Sequence, residues 1–304
     1  MQPLLLIANA GAGTSYDDAI DHAVQILSEG ASVEVAHTSN PGELDGVLHR
    51  AGTRRIVVAG GDGSLHAVVA ALHKRNELAG AELALLPMGT GNDFARAMEV
   101  PLEIEEAARL VLTGEVRDVD LIVDERGQVV VNNVHVGASA QASRRGARWK
   151  SRLGSIGVGK VNLGKLGYPV GAAMAAFLPP QIRLRVEIDG QVVNDVDEPL
   201  LMVAVGNGTS VGGGTELTPE ADPEDGMLDV MISRSVGPLA KFEFVTRLAR
   251  GSHAERDDVV YLRGREVTVT GEEFYLSADG EIDGPERSRT WHLERAAYSM
   301  VLPG

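Results

Sequence analysis

The sequence predicts an N-terminal α/β domain built on a parallel sheet, followed by a β-rich C-terminal domain. Two observations carry this reading. Up to Asp120, β-branched runs alternate with stretches of helical periodicity, the pattern of a parallel sheet covered on both faces. Beyond it, strand-like runs follow one another with few helices between them. A third observation is that the glycine clusters of the first half all follow strands, at the end of a parallel sheet where ligands sit. At 304 residues and 44% hydrophobic content the chain can fill two cores. The boundary is expected at 122/123, with residues 290–304 returning to the first domain and 123–289 forming the second.

In order, Leu4 to Ala8 form a first strand ending in the loop Asn9, Ala10, Gly11, Ala12, Gly13. Ala19, Ala23, Ile26 and Leu27 then recur at helical spacing, and Gly30 stops the helix. Residues 32–38 alternate as a strand ending at Thr38, and residues 39–52 read as a turn and a helix. Ile56, Val57 and Val58 form a buried parallel strand, and a helix begins near Leu65. Between them stand Gly60, Gly61, Asp62, Gly63 and Ser64. Glycines permit the sharp turn, and the free N–H groups of the following helix point at an anion. Asp62 among phosphates requires a cation between them, so this loop suggests a nucleotide with Mg²⁺; the alternative is a turn with Asp as its cap.

A second unit repeats the pattern. Residues 81–87 read as a strand, the loop 88–92 carries Gly89, Thr90 and Gly91, and Asp93 opens a helix that Pro101 ends. Asp62 and Asp93 thus fall at the ends of two neighbouring strands, suited to share a metal or metal-bound water; alternatively Asn92 or Asp93 caps the helix. Neither GxxxxGK[ST] nor a GxGxxG after the first strand is present, which argues against P-loop and dinucleotide chemistry.

In the second half, strands are expected in residues 128–136, 182–190, 199–207, 227–233, 265–271, 272–278 and 289–293. Helices are expected in the glycine-rich segment up to Phe177 and in residues 237–251. Glu216, Glu220, Asp222, Glu224, Asp225 and Asp229 crowd one stretch that has no base from Val186 to Ser233, either a site for Mg²⁺ or Ca²⁺ or an exposed acidic loop. Asp279-Gly280-Glu281 sets two carboxylates about one glycine, a general base or an ordinary turn.

The net charge is −15, yet Arg126 to Val186 holds ten bases and no acid. An acidic body with one basic segment is expected to meet an anionic partner there, a membrane surface or a phosphate-bearing ligand. No nucleic-acid partner is expected, and a homodimer is left open. With no cysteine, no basic leader at the start and no apolar run of spanning length, the reading is a cytoplasmic protein associating peripherally with membranes.

Gly60 to Ser64, GTGNDFAR from Gly89 to Arg96, the GGG run followed by residues 220–230, and the late Asp279-Gly280-Glu281 resemble, in this order, the diacylglycerol kinase catalytic-domain family, with its bacterial soluble lipid kinases. The resemblance covers nearly the whole chain. It implies an NAD kinase/diacylglycerol kinase-like fold and Mg-dependent transfer of phosphate from ATP to a lipid hydroxyl. ATP would meet Asn9, Ala10, Gly11, Ala12, Gly13, Thr38, Gly60, Gly61, Asp62, Gly63, Ser64, Leu65, His66 and Thr90. Catalytic Mg²⁺ chemistry would involve Asp62, Asp93 and Asp279, with Glu281 or Asp279 as proton acceptor. A separate structural Mg²⁺ would use Asp222, Asp225 and the carbonyl of Met227. Ala10, Ala12 and His66 depart from the family pattern, with His66 where Asn is usual. NAD kinase, phosphofructokinase and a catalytically silent regulator are the competing readings.

Overall fold

The computed structural model describes residues 2–10, 14–137 and 181–304. Its first half is the expected alternation: β1 (Leu4–Asn9), α1 (Thr14–Ser28), β2 (Val33–Thr38), α2 (Pro41–Leu48), β3 (Arg55–Gly60), α3 (Asp62–Lys74), β4 (Glu82–Pro87), α4 (Asp93–Ala97) and α5 (Ile104–Thr113). Asn40 starts α2 as its cap, accepting from the Glu43 N–H at 3.0 Å. Strands β4, β3, β1 and β2 pair in that order and all in parallel. The chain therefore reverses its direction of progress at β1, and a crevice opens at the strand ends between β1 and β3.

The second half opens with β5 (Glu115–Asp124), β6 (Val129–Val130) and β7 (Asn133–Gly137). It continues with β8 (Leu184–Ile188), β9 (Gln191–Asn194), β10 (Met202–Gly206), β11 (Ser210–Val211), β12 (Thr215–Glu216) and β13 (Leu228–Ser233). Helix α6 (Pro238–Leu248) precedes β14 (Val259–Gly264), β15 (Glu266–Ala278) and β16 (Glu281–Leu302). Apart from the β11–β12 hairpin, these strands join those of the first half in one sheet. All pairings within the second half are antiparallel. This is an N-terminal α/β domain with parallel strands plus a β-rich C-terminal domain.

Several elements exceed their sequence signals. The runs 265–271 and 272–278 are one strand, β15, irregular between Thr270 and Phe274. Gly271 stands there at φ +142°, and a Cβ would lie 2.5 Å from the Arg183 carbonyl oxygen, so no other residue fits without a shift. The run 289–293 is the middle of the 22-residue β16. That strand pairs with β15 through residues 281–292, with β5 through 291–302, and in parallel with β4 at Ser299 and Met300. The expected cuts at 122/123 and 289/290 fall inside β5 and β16. Alternation along β5 serves both halves: Val119, Leu121 and Val123 face the core under α3, while Ile122 faces the core of the β-rich half with Trp291. The helix expected up to Phe177 lies outside the described residues.

Candidate active site

The two glycine loops meet through their backbones. A Cβ on Gly61 would lie 2.8 Å from the Gly89 Cα, and one on Gly89 only 2.5 Å from the Gly61 Cα. The Met88 N–H donates to the Gly60 carbonyl at 2.9 Å, and the Asn92 side chain closes the second loop by bonding both N–H and C=O of Gly89. A side chain at Gly60 would strike Ser64 Cβ, 2.5 Å away. These glycines are thus required by close approach.

Asp62 is the first residue of α3. The Ser64 and Leu65 N–H groups both donate to Gly61 O, leaving those of Asp62 and Gly63 as the donors of the helix end with no acceptor among the described residues. One Asp62 oxygen, Oδ1, accepts from the Phe94 N–H at 3.0 Å. The other, Oδ2, comes within 3.0 Å of the point where a side chain at Gly91 would begin, and Asp93 Oδ2 within 3.5 Å of it. The expected neighbours are therefore neighbours, at the starts of the helices that follow the adjacent parallel strands β3 and β4.

Asp93 has a partner set that its sequence position did not disclose. Buried at the start of α4, it accepts from Ser210 Oγ at 3.1 Å, from the Gly213 N–H at 2.9 Å and from the Gly214 N–H at 2.7 Å. It clamps the β11–β12 hairpin against the loop after β4. It does not cap α4, and neither does the Asn92 side chain.

Asp279 and Gly280 form the turn between β15 and β16, both with positive φ, at 45° and 87°. This is the two-residue hairpin turn that Asp-Gly favours. The Asp279 carboxylate accepts from the N–H groups of Val131 at 2.7 Å, Asn132 at 2.9 Å and Asn133 at 3.2 Å. It also bonds His66 Nδ1 at 2.8 Å, from one turn beyond Asp62 on α3. Four donors so engaged make it an anchor between the halves. The hydrogen bond to Asp279, together with the charges of Asp279 and Glu281, raises the His66 pKa against the desolvation that lowers it. Glu281 itself is exposed at the first position of β16.

The crevice beside β1 gathers the remaining expected contacts. Asn9 and Thr38 are register partners, and the Ala10 N–H donates to Thr38 O at 2.9 Å. Tyr16, which sequence reasoning missed, donates its hydroxyl to Ala59 O at 2.7 Å and accepts from the Asn9 N–H at 3.4 Å, fastening β1 to β3 at the crevice floor. Thr90 is exposed on the second loop. Leu65 is fully buried in the core, so only its backbone borders the loop. Gly11, Ala12 and Gly13 lie outside the described residues.

The acidic stretch is folded about a carboxylate not singled out before, Asp120. Its oxygens accept from the Gly226 and Ala296 N–H groups, at 2.7 and 2.8 Å. Asp222 Oδ1 accepts from the Glu224 N–H at 3.0 Å, and Asp225 accepts from the Met227 N–H at 2.9 Å while also pairing with Arg263. Asp229 is fully buried, with Arg263 Nε 3.6 Å away and the Tyr261 hydroxyl beside it; burial pushes its carboxyl up to about 6 against the opposing pull of these two groups. Among the described residues, no group of three or more His, Asp or Glu side chains is set to hold a metal ion. No helix among them is long and apolar enough to cross a membrane.

Residues 3–123 match the diacylglycerol kinase catalytic domain, and residues 132–298 match the YegS C-terminal NAD kinase beta sandwich-like domain. A diacylglycerol kinase of Bacillus subtilis (strain 168) is 31% identical over 293 residues, which cover 93% of this chain and 91% of that one. A "Probable lipid kinase YegS-like" protein of Xanthomonas oryzae pv. oryzae (strain MAFF 311018) is 30% identical over 321 residues, 98% and 95% of the two chains. Among solved structures, a diacylglycerol kinase from Bacillus anthracis str. Sterne superposes with a TM-score of 0.75 at 24% identity, covering 99% and 97%. Yeast NADH kinase complexed with NADH superposes at 0.53 with 11% identity, covering 100% and 84%, a likeness of fold alone. The parallel sheet with its paired glycine loops and the antiparallel half that clamps Asp93 therefore carry the signatures of one family from end to end, and the chain belongs to the diacylglycerol kinase catalytic-domain family of lipid kinases.

Proposed function

We propose that this protein transfers the γ-phosphoryl group of ATP to the hydroxyl of diacylglycerol or a similar lipid, with Mg²⁺ as cofactor. The observation that carries the reading is Asp62: one oxygen is committed to Phe94, the other stands beside Gly91 and Asp93, and open N–H donors lie at the same helix end. That set fits a cation and phosphate together. Mg²⁺ bound there would neutralise phosphate charge. The N–H groups of Asp62 and Gly63 hold phosphate oxygens, and the crevice from Asn9 to Thr38 receives the rest of the nucleotide. Glu281 takes the hydroxyl proton, because Asp279 already serves four donors.

From the family resemblance, the acidic loop is also proposed to bind a second, structural cation, with one condition. Its ligands would be Asp222, Asp225 and the carbonyl of Met227, and Asp225 must then share its oxygens between the cation and Arg263. In this reading residues 1–122 with 290–304 serve the nucleotide, and 123–289 serve the lipid. The acid-free basic segment from Arg126 to Val186, of which residues 138–180 lie outside the described residues, is proposed from its charge, its cluster Arg144, Arg145, Arg148, Lys150 and Arg152 around Trp149, and its weakly polar run 168–177 to be the face that meets an anionic membrane.

The test is ATP turnover against lipids in vesicles and micelles, with NAD as a non-lipid acceptor. Asp62→Asn should fold normally and lose turnover by roughly 10² or more, and Glu281→Gln should do the same with unchanged ATP binding. Near-parental turnover of Asp62→Asn, or preference for NAD, overturns the reading.

A further inference from the structure

The four donors on Asp279 divide by origin. The N–H groups of Val131, Asn132 and Asn133 lie between β6 and the first residue of β7, in the β-rich half that also carries the Asp279–Gly280 turn. With the Asp279 N–H, which donates to Asn133 O at 3.0 Å, they fix the turn within its own half. The fourth donor, His66 Nδ1 at 2.8 Å, comes across from α3 in the α/β half. A carboxylate accepts, so Nδ1 is the ring nitrogen that carries the proton.

Each end of this link leads to a group of the active site. His66 lies four residues after Asp62, so both side chains share one face of α3, about 6 Å apart along its axis. At the other end, Glu281 is one residue beyond Gly280, at the start of β16. Its side chain is exposed, and among the described residues no hydrogen bond or ion pair holds it; only its charge acts on His66. The place of Glu281 therefore follows from the turn before it. Gly280 gives that turn no further brace, because a Cβ there would meet nothing within 4 Å. The Asp279 side chain is 3% exposed and that of His66 24%, so the bond between them is largely shielded from competing water.

We propose that His66 is a positioning residue for Glu281. By donating to Asp279 it sets the turn that carries Glu281 against the helix that begins at Asp62, and with it the separation of proton acceptor and phosphate site. This rests on the kinase reading above, in which Asp62 marks the phosphate and Glu281 takes the hydroxyl proton. The bond is what matters, not the bulk of the ring. Asparagine carries its Nδ2 donor at the same place along the side chain as the imidazole Nδ1 and can make the same bond, whereas leucine fills the space and cannot.

The test is steady-state phosphorylation of dioctanoylglycerol in detergent micelles by the full chain, at a temperature where each variant is folded. His66→Leu should lower kcat roughly 10- to 100-fold, the scale of a misplaced reacting group, and leave the KM for ATP unchanged. His66→Asn should recover most of that loss. In a Glu281→Gln background, His66→Leu should cost nothing more, because the group being positioned has gone. Losses that multiply in the double variant overturn the proposal, as does a His66→Asn variant as slow as His66→Leu. A raised KM for ATP with kcat kept makes His66 a nucleotide contact instead, and also overturns it. A parent that phosphorylates no lipid removes the kinase reading, and the role of His66 is then read from hydrogen exchange at the Gly280 and Glu281 N–H groups. Exchange faster in His66→Leu than in His66→Asn upholds the hold on the turn; equal exchange in the two overturns it.

Discussion

Four donors converge on Asp279, and one of them, His66, loses its proton as pH rises. Because the folded-state pKa of His66 is raised, its pairing with Asp279 stabilises the fold fully below the unfolded value near 6.5. That contribution fades as pH rises through the higher folded value. His66→Gln should therefore lower the urea midpoint more at about pH 6 than at about pH 9, a difference set by the imidazole's charge. Equal losses at both pH values would show that the ring acts through packing alone. At this scale the sequence was legible where chemistry is local. Asp62 was placed at the start of a helix because glycines after a β-branched run mark a sharp strand-to-helix turn. Helical spacing with Val68, Val69 and Leu72 puts Leu65 on the core stripe, which is why its side chain is withdrawn from the loop. The partners of Asp93, 117 to 121 residues away, had no local signal; only the run of glycines at 212–214 hinted that backbone N–H groups were to be offered.

Among elements, the β11–β12 hairpin shows what a two-residue strand pair requires to stay in place. It lies outside the main sheet, and Asp93 supplies the hydrogen bonds that hold its tip. Asp93→Ala should cost roughly 2–4 kcal/mol, since several donors lose a charged acceptor together. It should also speed hydrogen exchange at Gly213 and Gly214; unchanged exchange there would mean that the tip is held otherwise. The acidic loop makes a separate claim. Asp225→Ala should lower the melting temperature more in Mg²⁺ than in chelator, whereas an identical shift under both conditions leaves only the ion pair with Arg263 to explain it. Element reading failed chiefly by length. Glycine at 271 looked like the end of a strand and is an irregularity within one, because the approach of the Arg183 backbone, not a turn, demands it. Most of β16 escaped because Arg, Glu and Ser dominate its first half, where its neighbours are charged too. Arg289, 1% exposed, pairs there with Asp124 and, at 2.8 Å each, with Asp283 and Glu286.

At the scale of the whole molecule, the core under α3 and the core around Trp291 in the β-rich half are separate in their residues but joined by covalently continuous strands. Strands β5 and β16 each contribute side chains to both cores. Calorimetry should accordingly show one unfolding transition for the chain, with calorimetric and van't Hoff enthalpies equal. Two resolved transitions would mean that these strands part in the middle before the cores melt. The division into an α/β half and a β-rich half was legible from composition and alternation; the continuity across it was not, since no local pattern distinguishes a long strand from two short ones. That continuity has a bearing on synthesis. The partners of β16, namely β4, β5 and β15, all leave the ribosome before it does. The N-terminal half cannot be completed as it emerges, as a domain with its own last strand would be. It must wait, with the edge of β4 open to any passing strand, until residues 281–302 arrive. A nascent chain stalled before Glu281 should therefore recruit holding chaperones, and closure of the sheet becomes one of the final events of its production.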